Sequence, residues 1–195
     1  VQPRWSIEDL AADYAQCARW AVDAGADTIE TNFSCPNVET CDGQLYQNPA
    51  EAAIVAEAVR QAIGDQPLIL KIGHMTEAGD AEELLGAVGP FATAISMTNS
   101  VATTVRGRGG ELLFAGQQRG ICGEATFDAS LKQTSLFSEL VRERGNALRI
   151  VSVGGISTAS HVRSCLKAGA ESVQIATAAM IDPNVALEIR RNWQV

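Results

Sequence analysis

Short apolar strands alternate with helix-length stretches along the whole chain, and each strand gives way to small or polar residues at its C-terminal end. Ser6 is placed to cap a helix running to Ala24, with Gly25 as its stop. The strand Asp27–Asn32 follows, then a loop over 34–48. Pro49 suits the first turn of a helix that reaches Ile63 before Gly64. Pro67–Ile72 is a continuous apolar run, as expected of a strand buried on both faces. The pattern repeats: a helix over 81–88, a strand over 92–99, a helix over 129–144, a strand over 149–153, a helix over 158–168, a strand over 172–177, and a last helix begun by Asp182 and Pro183. Between them the Gly-rich stretch 106–123 is long enough for a hairpin or a mobile loop. No linker divides residues 1–195, so they read as one domain.

Such alternation implies parallel β/α units. Five strands fit an open doubly wound sheet, and they fit part of an eight-stranded barrel, which usually needs about 250 residues. Periodicity alone does not separate the two. The position of the polar residues does more. Asn32, Lys71, Asn99, the pair Gly154–Gly155 and Thr177 all fall at or just beyond the ends of successive strands, the edge where parallel β/α folds bind ligands.

Composition narrows the partners. A net charge of −8 argues against general nucleic-acid or anionic-membrane binding, which needs clustered Lys and Arg. No apolar run reaches the ~18 residues of a membrane span. The five cysteines (17, 35, 41, 122 and 165) are odd in number and lack a CxxC pair, which points to a reducing, cytoplasmic compartment rather than a disulfide framework. Cys35 and Cys41 have no histidine near them, so no metal site is read there. The chain opens at Val1 rather than Met, and a helix pattern starts almost at once, as in a processed or truncated chain.

Lys71 is one of three lysines, with Lys132 and Lys167, and it ends an apolar strand. A lysine there either snorkels to the rim, pairs with a carboxylate, holds an anion, forms a Schiff base, or faces an electron-rich cofactor ring. Gly154–Gly155 followed by Ser157 and Thr158 offers bare amides at a helix N-terminus, suited to a phosphate, and Ala176–Thr177 offers a second such turn. A tight strand-to-helix turn also uses glycine for steric reasons alone. The loop Asn32-Phe33-Ser34-Cys35-Pro36-Asn37 carries amides that match cyclic amides and imides edge to edge, and Asn99 adds another from a different strand end. Cys35, in a polar loop beyond a strand, is open to ionisation and to substrate. Asn, Ser and Pro also simply make turns.

These residues resemble the dihydroorotate dehydrogenase family. NFSCPN at 32–37 is similar to that family's N-x-S-C-P-N substrate loop, LKIG at 70–73 to its strand-end lysine segment, and TNS at 98–100 to its pyrimidine-binding pair. VGGIST at 153–158 resembles its flavin-phosphate turn, and VQIATA at 173–178 its last phosphate-binding strand. The resemblance covers nearly all of the chain. It implies an FMN-binding (β/α)8 TIM barrel of which this chain holds strands 4 to 8, beginning before the fourth, so that the chain as given lacks strands that complete the site. It also implies residue roles. Cys35 matches the catalytic base of the soluble, cysteine-using branch. Asn32, Ser34, Asn37, Asn99 and Ser100 match the substrate-binding set. Lys71, Gly123, Gly154, Gly155, Ala176 and Thr177 match contacts to the flavin and its phosphate.

The implied reaction is oxidation of dihydroorotate to orotate in pyrimidine biosynthesis, with Cys35 taking a proton from C5 and hydride leaving C6 for the flavin. The implied partners are a small dihydropyrimidine substrate and either a second copy of the chain or an electron-transfer subunit. Three departures stand out: Lys-Ile-Gly-His-Met in place of a proline-containing turn, Ala176 in place of Gly, and an unfamiliar loop holding Cys41 and Tyr46. Dihydropyrimidine dehydrogenases, which are related, place a cysteine further along that loop, so uracil or thymine reduction is a second reading. Asn37, where those relatives have His, tilts the choice toward orotate. A flavin-free lyase or isomerase using Lys71 is the reading from a different class.

Overall fold

The computed structural model describes residues 5–34, 44–145 and 147–193. Five parallel strands form one sheet in the order β1-β2-β3-β6-β7: β1 Ile29–Asn32, β2 Leu68–Lys71, β3 Ala94–Met97, β6 Arg149–Val153 and β7 Ser172–Gln174. Between β3 and β6 the Gly-rich stretch forms a separate antiparallel hairpin of β4 Val101–Thr104 and β5 Gln118–Ile121. Helices α1 Ile7–Asp23, α2 Pro49–Ile63, α3 Ala78–Val88, α4 Phe127–Arg144 and α5 Ala159–Lys167 precede or follow the strands, and α6 Thr177–Ile181 and α7 Val185–Arg191 complete the set.

Local chemistry sets the boundaries. The Ser6 hydroxyl accepts from the Asp9 N–H while the Asp9 carboxylate accepts from the Ser6 N–H, a reciprocal cap on α1. Asn48 caps α2, Pro49 occupies its first turn, and Gly64 ends it at φ +63°. Arg60, near the end of α2, donates to the carbonyls of Gly64, Gln66 and Phe91 at 2.6–2.8 Å, which pins the loops that feed β2 and β3. Several expected boundaries move, most of all in two strands. The strand over 92–99 shortens to Ala94–Met97, and the strand over 172–177 ends at Gln174, with Thr177 beginning α6 instead. The run Ile175–Ile181 hid that change, because a strand and a short helix look alike when every residue is small or apolar.

The sheet has two unlike faces. Ile29, Leu68, Leu70, Ile95, Met97 and Ile150 point to one side and join the large core beneath the helices. Ile69, Ala94, Val151 and Val153 point to the other and form a small cluster of their own. Glu30, Asn32, Lys71 and Gln174 share this second face by register. Across it, Gln174 Nε2 on β7 donates to Glu30 Oε2 on β1 at 2.5 Å. These are the first and last strands of the sheet. In a flat sheet they would stand ~19 Å apart at the usual interstrand spacing, beyond the combined reach of two side chains. The sheet is therefore curled, with Glu30 and Gln174 meeting across its concave side. Side chains from alternate strands meet in this way in the layers that fill a β/α barrel. A flat doubly wound sheet cannot make that contact, and it decides the choice left open by periodicity in favour of barrel curvature.

No helix among the described residues is long and apolar enough to cross a membrane.

Candidate active site

The C-terminal ends of the strands converge on a cavity of about 410 Å³, bounded by Lys71 and Asn99 on one side and by the turns at Gly154–Gly155 and Ala176–Thr177 on the other. Cys122 and Gly123, at the return of the hairpin, close its rim. This volume lies within the range of small-molecule sites, ~300–1,000 Å³.

A chain of polar contacts links the strand ends. Lys71 Nζ donates to Asn99 Oδ1 at 2.6 Å. Asn99 Nδ2 in turn donates to the Ser34 carbonyl and, at 3.5 Å, to its hydroxyl. The Ser34 N–H donates to Asn32 Oδ1 at 3.1 Å, and Tyr14 of α1 donates its hydroxyl proton to the Asn32 carbonyl at 2.8 Å. Phe33 is fully buried, its N–H donates to the Lys71 carbonyl, and its ring meets Tyr14 edge-on at 5.9 Å. On the far side of the loop the Tyr46 N–H returns to the Phe33 carbonyl at 3.2 Å. Both roots of the loop thus meet at Phe33, which is itself tied to the Lys71 backbone. Burial pushes the Lys71 ammonium below its ordinary pKa, while Glu30 and Cys122 oppose that shift.

Asn32, Ser34, Lys71 and Asn99 form this connected set, and Lys71, Asn99, Gly123, Gly154, Gly155, Ala176 and Thr177 line the cavity. Ser100 is half-buried beside Asn99 at the root of the hairpin and is outside the cavity's lining. Cys35, Asn37 and Cys41 lie outside the described residues.

The glycines are there for a reason that geometry makes explicit. Gly154 and Gly155 have φ of +121° and +71°, and a Cβ on Gly155 would stand 2.6 Å from the Phe127 backbone nitrogen. Gly123 has φ +80°, and its Cβ would press on Thr177 at 3.2 Å. Packing alone accounts for Gly155. The pointer to a ligand is that all three turns open on the same cavity and present backbone to it. Such a cradle suits a phosphate-bearing planar group whose ring edge would reach Lys71.

Sequence reasoning missed Gln133. It is buried in α4, where it accepts from Thr98 Oγ1 at 2.6 Å and donates to the Gly73 carbonyl at 2.9 Å. One amide therefore fixes the chain just beyond β2 and just beyond β3. A signal was present: Ser130, Gln133 and Thr134 put three polar residues on the face of α4 that also carries Phe137 and Val141. Gln133→Leu leaves the Gly73 carbonyl and the Thr98 hydroxyl without a partner. We expect it to cost ~2–6 kcal/mol, from about 1–3 kcal/mol for each of the two buried groups left unsatisfied, read as a lower midpoint in urea unfolding.

The dihydroorotate dehydrogenase family model matches residues 5–194. The chain belongs to the dihydroorotate dehydrogenase family. It is 32% identical over 193 residues to a dihydroorotate dehydrogenase of Dictyostelium discoideum, an alignment covering 96% of this chain and 52% of that protein. It is also 32% identical over 184 residues to the catalytic subunit of dihydroorotate dehydrogenase B (NAD(+)) of Alkaliphilus oremlandii, covering 91% of this chain and 57% of the other. The fold is similar to a crystal structure of DHODH from Eimeria tenella in complex with ferulenol, with a TM-score of 0.75 at 17% identity, over 95% of this chain and 52% of that one. The chain thus spans about half the length of the curated relatives it matches. The barrel expected from the sequence agrees with this family's fold, of which the sheet supplies five strands.

Proposed function

We propose that residues 1–195 form one domain that serves an FMN-dependent oxidoreductase converting dihydroorotate to orotate, within a barrel completed by further strands. One observation carries the reading: the Lys71–Asn99–Ser34 contact chain ties the root of the NFSCPN loop to a cavity whose other walls are the turns at Gly123, Gly154–Gly155 and Ala176–Thr177.

Gly123, Gly154, Gly155, Ala176 and Thr177 would hold the phosphate end and flank of FMN, with Lys71 at the ring edge. Bound there, FMN supplies the acceptor for the electron pair and hydrogen that leave C6 of the substrate. The protein's own part is positioning and proton transfer. Asn32, Asn37, Asn99 and Ser100 present amide and hydroxyl groups to the pyrimidine edge, where two donors and an acceptor per amide match the ring's carbonyls and N–H groups. Ser34, tied to both Asn32 and Asn99, keeps those amides at a fixed separation. Cys35 removes the C5 proton as thiolate. Lys71, as an ammonium, stabilises negative charge that develops beside it.

The cytoplasm is the proposed location, in line with the scattered cysteines. An electron-transfer subunit is the proposed partner, supported by relatives named as catalytic subunits. Asn37 favours orotate over a uracil-type ring.

The test is spectroscopic. Full-length protein mixed with FMN is expected to retain the yellow absorbance bands through a desalting column and to show a difference spectrum when orotate is added. Protein that passes through colourless would sink the flavin reading and leave the lyase or isomerase alternative. A spectrum that responds to uracil but not to orotate would shift the substrate.

A further inference from the structure

Lys71 is half-buried at the cavity floor, and the hydrogen bond that engages its ammonium goes to a neutral amide, that of Asn99. Among the described residues the ion pairs are Arg144–Glu82 and Arg149–Glu171, so Lys71 has no carboxylate in contact. A cation in that position must be offset from a distance or give up its proton.

The sheet register shows where the offset lies. Asn32 is the register partner of Lys71, and Glu30 precedes Asn32 by two residues on the same concave face. That places Glu30 diagonally one strand over, with ~8 Å between Cα atoms from the strand rise and spacing, within reach of two long side chains. Its carboxylate is not free to wander, because Gln174 Nε2 donates to it across the bore at 2.5 Å. We propose that Glu30, pinned by Gln174, is a positioning residue for Lys71: the fixed counter-charge that keeps the ammonium charged beneath the cavity.

Among the described residues few groups compete for this role. From β3, Ser96 faces the same side and is uncharged, with a buried hydroxyl lacking a partner. From β6 come Val151 and Val153. From the hairpin comes Cys122, and from the turn after it Glu124 stands on the cavity rim. Burial is the largest influence on Lys71 and disfavours its charge; Glu30 is the larger opposing influence and Cys122 the smaller. The inference rests on the proposed function only for what the charged lysine does once a flavin and substrate are present.

Three lysines make the test direct. In the ligand-free chain labelled with 13C and 15N at its lysine side chains, three ammonium-linked signals are expected, titrated by NMR. The Lys71 signal should titrate below the ordinary lysine range. Glu30→Gln should move the Lys71 midpoint further down. Glu30→Asp should restore most of the midpoint, and Glu124→Gln should leave it in place. A Glu30→Gln protein that keeps its circular dichroism and its Lys71 midpoint would overturn the proposal. If that variant does not fold, Gln174→Leu, which releases the Glu30 carboxylate, should lower the Lys71 midpoint instead, and a midpoint that stays in place overturns the proposal. Failure to bind FMN would sink the proposed function without touching this titration, so the two can fail separately.

Discussion

Gly155→Ala is expected to destabilise the protein by about 3 kcal/mol and to abolish flavin retention. The estimate combines two costs. An alanine held at φ +71° has left its favoured region, which costs about 1 kcal/mol. Its Cβ would also lie 2.6 Å from the backbone nitrogen of Phe127, a wall that cannot rotate aside as a side chain would. Relief requires the start of α4 to move, and forced shifts of this kind cost ~1–3 kcal/mol. Phe127 also stacks on His161 at 4.1 Å between centroids, so the strain passes to α5 as well. Thermal unfolding and FMN retention measured on the same preparation check both parts. Gly79→Ala is the matched control, since a Cβ there meets nothing within 4 Å. If Gly155→Ala unfolds like wild type and still holds FMN, the turn is not the rigid cradle described.

Cys35→Ser should slow anaerobic flavin reduction by dihydroorotate ~10²–10⁴-fold, the usual worth of a well-placed general base. A serine hydroxyl is far less acidic than a thiol and cannot supply the same base at neutral pH. Orotate affinity should hold nearly constant, because the proposed ring contacts come from Asn32, Asn37, Asn99 and Ser100. Stopped-flow traces at several pH values separate this from a binding defect. The wild-type rate should rise as the thiol ionises, and the serine variant should lose that rise. A collapse of orotate affinity with the reduction rate preserved would show that Cys35 binds rather than reacts.

Much of this fold was legible because its signals are local. Ser6, Pro49 and Gly64 mark helix ends by backbone chemistry that needs no tertiary context, and the structure uses each of them as such. The strand-end residues Asn32, Lys71 and Asn99 stood out as polar groups closing apolar runs. The hairpin was harder to see. Val101–Thr104 and Gln118–Ile121 are exposed along nearly their whole length, so neither carries the alternation that marks a half-buried strand. The contact between Glu30 and Gln174 joins residues 144 positions apart and depends on curvature accumulated over five strands. No window of sequence contains it. Gln133 is intermediate: its polar stripe on α4 is visible, but its two partners come from the ends of two different strands.

The hairpin leaves the sheet after β3 and returns at Gly123, and its backbone hydrogen bonds are made within itself. Its tip carries exposed Leu112, Leu113 and Phe114, with Arg119 lying over the Phe114 ring at 5.5 Å. No barrel strand takes its register from this excursion. The hairpin is therefore a cassette in the literal sense: it can be lengthened, shortened or grafted from a relative without reindexing the sheet. Among the described residues its two roots are tied to the site, Asn99 by its hydrogen bond from Lys71 and Cys122 by its thiol on the Asn99 carbonyl. An engineer wishing to give this barrel a new docking element has one ready-made place to put it.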